Sequence, residues 1–276
     1  MDPQVIATFV AGLCCTLVIM YLFGAFSGKK PALSTEEWRA FPLREKIEVS
    51  DSTHIYRFEI PGTLGISTGQ HVSVRAPVNG RQVMRSYTPI TDHDVEGYVD
   101  LMVKSYPTGN LSRVMNELKI GDTVEMKGPK GRFLYEPNMV SRIGMIAGGT
   151  GITPCYQVIK AVLQNPADNT KLNLIYANVN EDEILLKKEL DALAKQHPTR
   201  FSVYYFLDKP PANWTGGTGF VTREAIAEQL PSPSESCRIL MCGPPPMMEA
   251  MKKHLVSLDF PPARTISKAE DIVFVF

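Results

Sequence analysis

The hydrophobic pattern of this chain changes its period near residue 140, and no other feature limits the possible folds as much. Before that point, short alternating segments separated by turn residues are typical of an antiparallel barrel or sandwich. After it, apolar strand-like segments alternate with helical ones, which is typical of a doubly wound parallel sheet. The sequence therefore predicts a β domain followed by an α/β domain.

The individual elements follow from these two patterns. For the first half we predict strands Glu45–Ser50, His54–Ile60, His71–Arg75, Met84–Pro89, Tyr98–Lys104 and Thr123–Lys127, and helix Leu111–Leu118. For the second half we predict strands Ile143–Ala147, Leu172–Ala177, Phe201–Leu207, Arg238–Cys242 and Ile272–Phe276, and helices Ile152–Gln164, Glu183–Lys195, Arg223–Gln229 and Pro245–Leu255. We expect the chain to divide into an N-terminal segment with a linker at residues 1–33, the β domain at residues 34–138 and the α/β domain at residues 139–276.

Residues 5–26 form an apolar segment long enough to cross a membrane. Its 22 residues carry no charge, and a helix needs about 20 apolar residues to span the hydrocarbon core. A cleaved signal peptide would have a basic start and a shorter apolar stretch. Lys29 and Lys30 follow the segment, and positive flanks stay cytoplasmic. We predict a single-pass N-terminal transmembrane helix, with the rest of the chain in the cytosol, at the endoplasmic reticulum or the mitochondrial outer membrane.

Charge and cysteine content argue against several classes of protein. The chain has 29 basic and 29 acidic side chains, so its net charge is zero and a nucleic-acid partner is not expected. The five cysteines include no C-x-x-C pair and the five histidines are scattered, so we expect no metal site. The oligomeric state is left open.

Two motifs in the first half could bind phosphate. Arg85–Thr88 (R-S-Y-T) ends a predicted strand; an arginine fork holds phosphate oxygens, and a tyrosine ring offers a flat surface with one hydrogen bond. Gly109–Ser112 (G-N-L-S) begins the predicted helix, where free N–H groups and a hydroxyl can receive a phosphate. An exposed sheet face and an ordinary capped helix are the structural alternatives.

Two glycine-containing turns in the second half lie between a strand and a helix. Ala147–Pro154 (A-G-G-T-G-I-T-P) has three glycines in four residues, which removes side chains from a ligand-facing edge. Its spacing differs from the dinucleotide G-x-G-x-x-G fingerprint. Cys242–Met248 (C-G-P-P-P-M-M) places the Cys242 thiol at the carboxyl end of a later strand, although a buried, inert cysteine is the alternative.

Taken together and in this order, the four motifs resemble those of the ferredoxin–NADP reductase superfamily of flavoproteins, most closely the NADH–cytochrome b5 reductase family. The resemblance covers about residues 36–276 and is supported by Gly69–His71, Lys104–Tyr106, Gly219–Val221 and the final Phe276. It implies an FAD-binding β-barrel domain followed by an NAD-binding α/β domain. It also implies that NADH passes a hydride to FAD, and that single electrons then go to cytochrome b5 or a similar haem protein.

The resemblance also implies roles for individual residues. Thr88 would lie within reach of flavin N5, Lys104 near the nicotinamide, and Cys242 beside the nicotinamide, where it would act through packing and polarity. The residues expected to bind FAD or NADH are Arg85, Ser86, Tyr87, Thr88, Val103, Lys104, Tyr106, Gly109, Asn110, Leu111, Ser112, Gly148, Gly149, Thr150, Gly151, Thr153, Asp208, Phe220, Cys242, Gly243, Pro244 and Met247.

Ser86 departs from the family pattern, because many relatives have proline there. Strand alternation would turn its side chain away from Arg85 and Tyr87, so we expect little loss. The Asp208 carboxylate follows the third strand of the α/β half, where an acid can bind the adenosine ribose and repel a 2′-phosphate. This predicts NADH over NADPH, although Asp208 could also be a turn residue and Lys209 lies beside it.

An acidic cytochrome would be recognised by basic side chains, unless these form only a solvated face. The candidate contacts are Arg81, Lys127, Lys130 and Arg132. Rival functions are an NADPH-dependent ferredoxin-type or oxygenase-linked flavin reductase, and a membrane-tethered nucleotide-binding protein without turnover.

Overall fold

The computed structural model describes residues 31–105 and 109–276. The predicted membrane anchor and the predicted cofactor contact Tyr106 lie outside these residues. Within the two described ranges, no helix combines the length and the apolar character needed to cross a membrane.

The first half folds into one curled, six-stranded antiparallel sheet. Its strands are β1 (Arg39–Ser50), β2 (Thr53–Thr63), β3 (His71–Val78), β4 (Arg81–Tyr87), β5 (Glu96–Lys104) and β6 (Thr123–Lys130), and helix α1 (Leu111–Glu117) connects β5 to β6. The strand order is β4-β3-β6-β1-β2-β5, and the end strands β4 and β5 contact each other. The antiparallel β domain is therefore confirmed as a curled sheet and not as a two-sheet sandwich.

Several strands are longer than predicted because their extensions depend on distant partners. Residues 39–42 of β1 pair with residues 123–126 of β6, and no local alternation reveals this pairing. The inner face of the sheet packs around Tyr56, Phe58 and Leu101, which are fully buried, and α1 adds Met115 to the same core. This packing brings the start of α1 close to the ends of β4 and β5.

The second half is a parallel sheet covered by helices. Its elements are β7 (Arg142–Gly148), α2 (Ile152–Gln164), β8 (Lys171–Asn178), α3 (Lys187–Gln196), β9 (Phe201–Leu207), β10 (Gly217–Thr218), α4 (Arg223–Gln229), β11 (Cys237–Cys242), α5 (Pro245–Val256) and β12 (Val273–Val275). The strand order is β10-β9-β8-β7-β11-β12, with every pair parallel. The direction of winding reverses between β7 and β11, so a ligand crevice is expected at their carboxyl ends.

In this half one predicted boundary was wrong and one strand was missed. Helix α3 begins at Lys187 and not at Glu183, because Asn180 caps a separate short turn at Glu181–Glu183 and Leu186 adopts a left-handed φ of 58°. Strand β10 was not predicted: it has two residues, and a Cβ on Gly217 would lie 2.4 Å from the Phe206 ring. Its pairing with β9 therefore depends on a close approach and not on an apolar pattern.

Helix α2 holds the two halves together. The Gln157 side chain accepts a hydrogen bond from the Gly69 N–H (2.6 Å) and donates one to the Gln70 carbonyl (3.3 Å). One turn further along, the Lys160 ammonium donates to the Ile90 carbonyl (2.7 Å) and forms an ion pair with Asp92 (2.5 Å). One face of α2 is thus attached to the β domain, while the amino end of the same helix lies at the crevice.

We expect Gln157→Ala to destabilise the protein by about 1–3 kcal/mol, because it leaves the buried Gly69 N–H without its partner. The measurement is denaturant-induced unfolding of the variant and of the parent protein. Gln164→Ala is the matched control, since Gln164 lies on the same helix but is exposed and makes only a 3.5 Å contact with Asp92. Equal unfolding midpoints for the two variants would contradict this role for Gln157.

Candidate active site

An open cleft of about 720 Å³ lies where the winding of the parallel sheet reverses, facing the end strands of the β domain. All four motifs contribute to its walls, although they are spread over more than half of the sequence. The predicted site residues that line it are Arg85, Ser86, Tyr87, Thr88, Val103, Lys104, Gly109, Asn110, Leu111, Ser112, Gly148, Gly149, Thr150, Gly151, Thr153, Cys242, Gly243 and Pro244.

The β-domain wall is formed by the end of β4. The Arg85 guanidinium is exposed and donates to the Met84 carbonyl (2.7 Å), which leaves further N–H donors for a ligand. Burial raises the pKa of Tyr87 to about 12, so its hydroxyl is a neutral donor at physiological pH. Ser86 lines the cleft together with Arg85 and Tyr87 on this end strand.

The opposite wall is the glycine-rich turn at the end of β7, and its glycines serve different structural purposes. A Cβ on Gly151 would lie 2.1 Å from the Cys242 carbonyl oxygen, and a Cβ on Gly148 would lie 2.6 Å from the Met247 sulfur. These two glycines therefore let the turns after β7 and β11 touch. Gly149, with φ +54°, has no atom within 4 Å of a Cβ position, so it leaves space open. The Tyr176 hydroxyl fixes this turn by donating to the Gly149 carbonyl (3.0 Å).

An ion pair crosses between the domains at the cleft. The Lys104 ammonium, at the end of β5, lies 2.6 Å from a carboxylate oxygen of Glu183, in the connection between β8 and α3. The Lys104 side chain is only 15% exposed, so this charge pair is partly shielded from solvent. Glu183 was missed by sequence reasoning because its partner lies 79 residues away.

Four further residues of the cleft were not predicted: His71, Met102, Pro154 and Phe276. Burial and the nearby Lys130 charge lower the pKa of His71, so its imidazole is neutral at pH 7. The Phe276 ring packs against Phe133 (5.8 Å between centroids) and Phe274 (5.1 Å). The Gly69–His71 segment and the final Phe276 were both noticed in the sequence, but neither pattern says which cavity a side chain will line.

Three predicted residues lie outside the cleft. Met247 packs behind Gly148. Asp208 directly follows β9, and its N–H donates to the Asn178 carbonyl (3.1 Å). The Gly219 N–H donates to the Leu207 carbonyl (2.8 Å), which brings the 83% exposed Phe220 close to Asp208. Since β11 and β9 are three strand spacings apart, the strands that lead to Cys242 and Asp208 are separated by about 14 Å across the sheet.

Cys242 is suited to packing and not to nucleophilic chemistry. Burial raises the pKa of its thiol from 9.0 to about 11, so the reactive thiolate is scarce at neutral pH. The Cys242 backbone carbonyl also forms part of the close contact with Gly151. Its place at the carboxyl end of β11 brings the neutral sulfur to the cleft.

The pKa of Cys242 predicts a loss of stability in alkali. The folded protein favours the protonated thiol, so its contribution is complete below pH 9 and is lost as the pH rises towards 11. We expect the unfolding free energy to fall by about 2 kcal/mol more in the parent protein than in Cys242→Ala over this range. Chemical denaturation at several pH values measures the difference, and parallel pH profiles would contradict the burial of a protonated thiol.

Comparisons with known proteins find matches for both halves of the chain. The oxidoreductase FAD-binding domain model matches residues 40–135, and the oxidoreductase NAD-binding domain model matches residues 145–253. NADH-cytochrome b5 reductase 1 of Debaryomyces hansenii is 49% identical over 278 residues, covering 100% of this chain and 98% of the relative. The corresponding protein of Cryptococcus neoformans is 50% identical, covering 98% of this chain and 95% of the relative.

Among solved structures, the cytochrome b5 reductase domain of Ulva prolifera nitrate reductase superposes with a TM-score of 0.82 at 38% identity. It covers 90% of this chain and 100% of that domain. A match over 90% of the chain includes residues of both the curled sheet and the parallel sheet. With relatives matched over nearly their full length and both domain models in the same order, the chain belongs to the NADH-cytochrome b5 reductase family.

Proposed function

We propose that this protein binds FAD between its two domains, oxidises NADH and passes the electrons one at a time to cytochrome b5. The observation that carries the proposal is the meeting of the four motifs in one cleft at the reversal of the parallel sheet. A protein that only binds a nucleotide, without turnover, would not need motifs from both domains to meet at that position.

The charged side chains and the N–H donors of the cleft suit FAD. Arg85 lines the cleft as an exposed cation, Lys104 lines it while paired with Glu183, and no carboxylate side chain lines it among the described residues. A pyrophosphate would therefore meet the Arg85 guanidinium and N–H donors at Gly109–Ser112. When bound, FAD accepts a hydride and releases single electrons.

The protein's own residues position the reactants and do little acid–base chemistry. With FAD bound, Tyr87 would present its ring to the isoalloxazine, and the Thr88 hydroxyl would hold a hydrogen bond at flavin N5. Val103 and Lys104 form the adjoining wall. From the α/β domain, Thr153 is held at the start of α2 by a hydrogen bond to the Thr150 carbonyl (3.2 Å).

NADH is proposed to lie along the carboxyl edge of the parallel sheet. The nicotinamide end would contact Cys242–Pro244, with Met247 supporting the turn from behind. The adenosine end would reach Asp208 and Phe220, whose exposed carboxylate and ring can bind a ribose and a base. Because a carboxylate repels a 2′-phosphate, this placement favours NADH over NADPH.

Steady-state reduction of soluble cytochrome b5 by the purified protein tests the proposal. We expect rapid reduction with NADH, and slower reduction with NADPH or with ferredoxin as the acceptor. A preference for NADPH and ferredoxin would instead support the ferredoxin-type alternative. Reduction of neither protein, with FAD bound, would reject both functions.

The N-terminal segment supports a membrane attachment. The 22 uncharged residues 5–26, followed by Lys29 and Lys30, are the basis for proposing a cytosolic catalytic domain anchored at the endoplasmic reticulum or the mitochondrial outer membrane. We expect the full chain to stay with membranes during alkaline carbonate washing. Release of the full chain into the supernatant would contradict the anchor.

A further inference from the structure

The Lys104–Glu183 ion pair joins the two sides of the active-site cleft. The Lys104 side chain lines the cleft from the end of β5, and its ammonium lies 2.6 Å from a Glu183 carboxylate oxygen on the α/β side. Among the described residues, one other ion pair crosses between the domains, that of Lys160 with Asp92. Glu183 itself does not line the cleft, so its effect on bound reactants passes through Lys104.

The position of Glu183 is fixed by its own domain. Its N–H donates to the Asn180 side-chain oxygen (3.1 Å), which caps the short turn before α3. Two residues later, Leu185 is 3% exposed and belongs to the same core as Tyr176. The Tyr176 hydroxyl in turn donates to the Gly149 carbonyl (3.0 Å). The Glu183 carboxylate therefore stands on a segment that packs with the residue holding the glycine-rich turn.

The position of the Lys104 ammonium depends on its partner more than on its own strand. Lys104 is the last residue of β5, where its backbone pairs with Thr53 of β2. The ammonium, however, ends a flexible four-carbon stem, which has other rotamers available when the carboxylate is removed. Because the Lys104 side chain is only 15% exposed, the attraction to Glu183 is screened less than that of a surface pair.

The attachments made by α2 lie at another part of β5. Lys160 donates to the Ile90 carbonyl (2.7 Å), and the Ile90 N–H donates to the Asp100 carbonyl (3.0 Å) on β5. Asp100 lies four residues before Lys104, which is about 13 Å along the strand. The Lys104–Glu183 pair is therefore a separate attachment, and it stands at the end of β5 that reaches the cleft.

We propose that Glu183 is a positioning residue for hydride transfer, which acts through Lys104 to hold the two walls of the cleft at the separation that the reaction needs. This proposal rests on the proposed function. Hydride transfer depends steeply on the distance between the reacting groups. The contacts proposed for NADH at Cys242 and Asp208 do not involve Glu183, so loss of the ion pair should lower the rate of transfer more than the affinity for NADH.

The test is Glu183→Gln, studied by anaerobic stopped-flow mixing of the FAD-loaded protein with NADH. Glutamine keeps the length of the side chain but removes its charge. We expect the limiting rate of flavin reduction to fall about tenfold, while the dissociation constant of NADH changes by less than about threefold. The matched control is Asp182→Asn, which removes one negative charge from an exposed residue of the same turn and should keep both parental values. Glu183→Asp retains a carboxylate, and its limiting rate should stay within about threefold of the parental rate.

A second readout reports the separation of the walls without turnover. The Cys242 thiol lines the cleft, so its labelling by N-ethylmaleimide measures how open the cleft is. In the FAD-loaded protein without NADH, we expect the thiol to be labelled about threefold faster or more in Glu183→Gln than in the parent, because a wider cleft exposes the sulfur and relieves its burial. Mass spectrometry of the peptide that contains Cys242 separates this thiol from the other cysteines.

The outcomes separate this proposal from the proposed function. If NADH does not reduce the FAD-loaded parent, the proposed function fails and the positioning role falls with it. If the parent is reduced, a parental limiting rate or a parental labelling rate in Glu183→Gln overturns the positioning role alone. An equal loss of rate in Asp182→Asn, or a weaker affinity for NADH at an unchanged limiting rate, overturns it as well.

A charge exchange keeps the proposal testable should Glu183→Gln fail to fold. Lys104→Glu alone places two carboxylates opposite each other and should speed the labelling of Cys242. Lys104→Glu/Glu183→Lys restores an ion pair of opposite polarity and should return the labelling to the parental rate. Equal labelling of the single and the double variant overturns the proposal.

Discussion

Replacing Arg85 with alanine is expected to weaken FAD binding by about 10- to 100-fold, the loss expected for charge-assisted hydrogen bonds to a phosphate. Arg85 is the cation at the end of β4 in the active-site cleft, and its guanidinium has donors left after the bond to Met84. The dissociation constant can be measured by fluorescence titration of the flavin-free protein with FAD.

Arg81→Ala is the matched control for this prediction. Arg81 lies on the same strand and is also exposed, but it is at the hairpin end, away from the cleft. The control should bind FAD as the parent protein does. Equal FAD affinities for the two alanine variants would show that Arg85 does not hold the pyrophosphate.

Gly151→Ala is expected to slow the reduction of the flavin by NADH about 100-fold, because a displacement of roughly 1 Å at the reacting groups can have that effect. The added Cβ would meet the Cys242 carbonyl oxygen at 2.1 Å and its carbon at 2.5 Å. Both are backbone atoms, so no side-chain rotation relieves the collision, and the turns after β7 and β11 must move apart. Overpacking of this kind should also cost about 1–3 kcal/mol of stability.

Gly80→Asn is the control that shows whether these effects depend on which glycine is replaced. Gly80 lies in the β3–β4 turn with φ +73° and no atom within 4 Å of its Cβ position, and asparagine tolerates that backbone conformation. This variant should keep the parental rate of flavin reduction in anaerobic stopped-flow mixing. A Gly151→Ala protein with bound FAD and an unchanged rate would contradict the close packing of the two turns.

The order of strands and helices along the chain could be predicted because most of these elements have strong local sequence patterns. β7, for example, is buried throughout from Ile143 to Gly148, as expected for a central parallel strand, and its apolar sequence shows this. Elements that depend on tertiary contact could not be found in this way. β10 pairs with β9 only because Gly217 allows close approach to Phe206, and α3 starts late because of a left-handed Leu186.

The candidate site was predictable in its motifs but not in its cross-domain contacts. The four motifs lie at strand ends or at a helix start, and both topologies bring such ends together. The Lys104–Glu183 ion pair, the Gln157 contacts and the lining of one cleft by both His71 and Phe276 join residues that are far apart in sequence. The basic residues show the same limit, since Arg81 and Lys130 lie at opposite ends of the β3 pairings.

The most direct test of the central claim is to mix the purified protein with NADH anaerobically and record the visible absorbance of the flavin. If a flavin in the β domain faces NADH held by the α/β domain, the yellow protein is bleached within one turnover and regains its colour when oxidised cytochrome b5 is added. A protein that is colourless and cannot be reconstituted with FAD, or one whose bound FAD stays oxidised in excess NADH, would contradict the account.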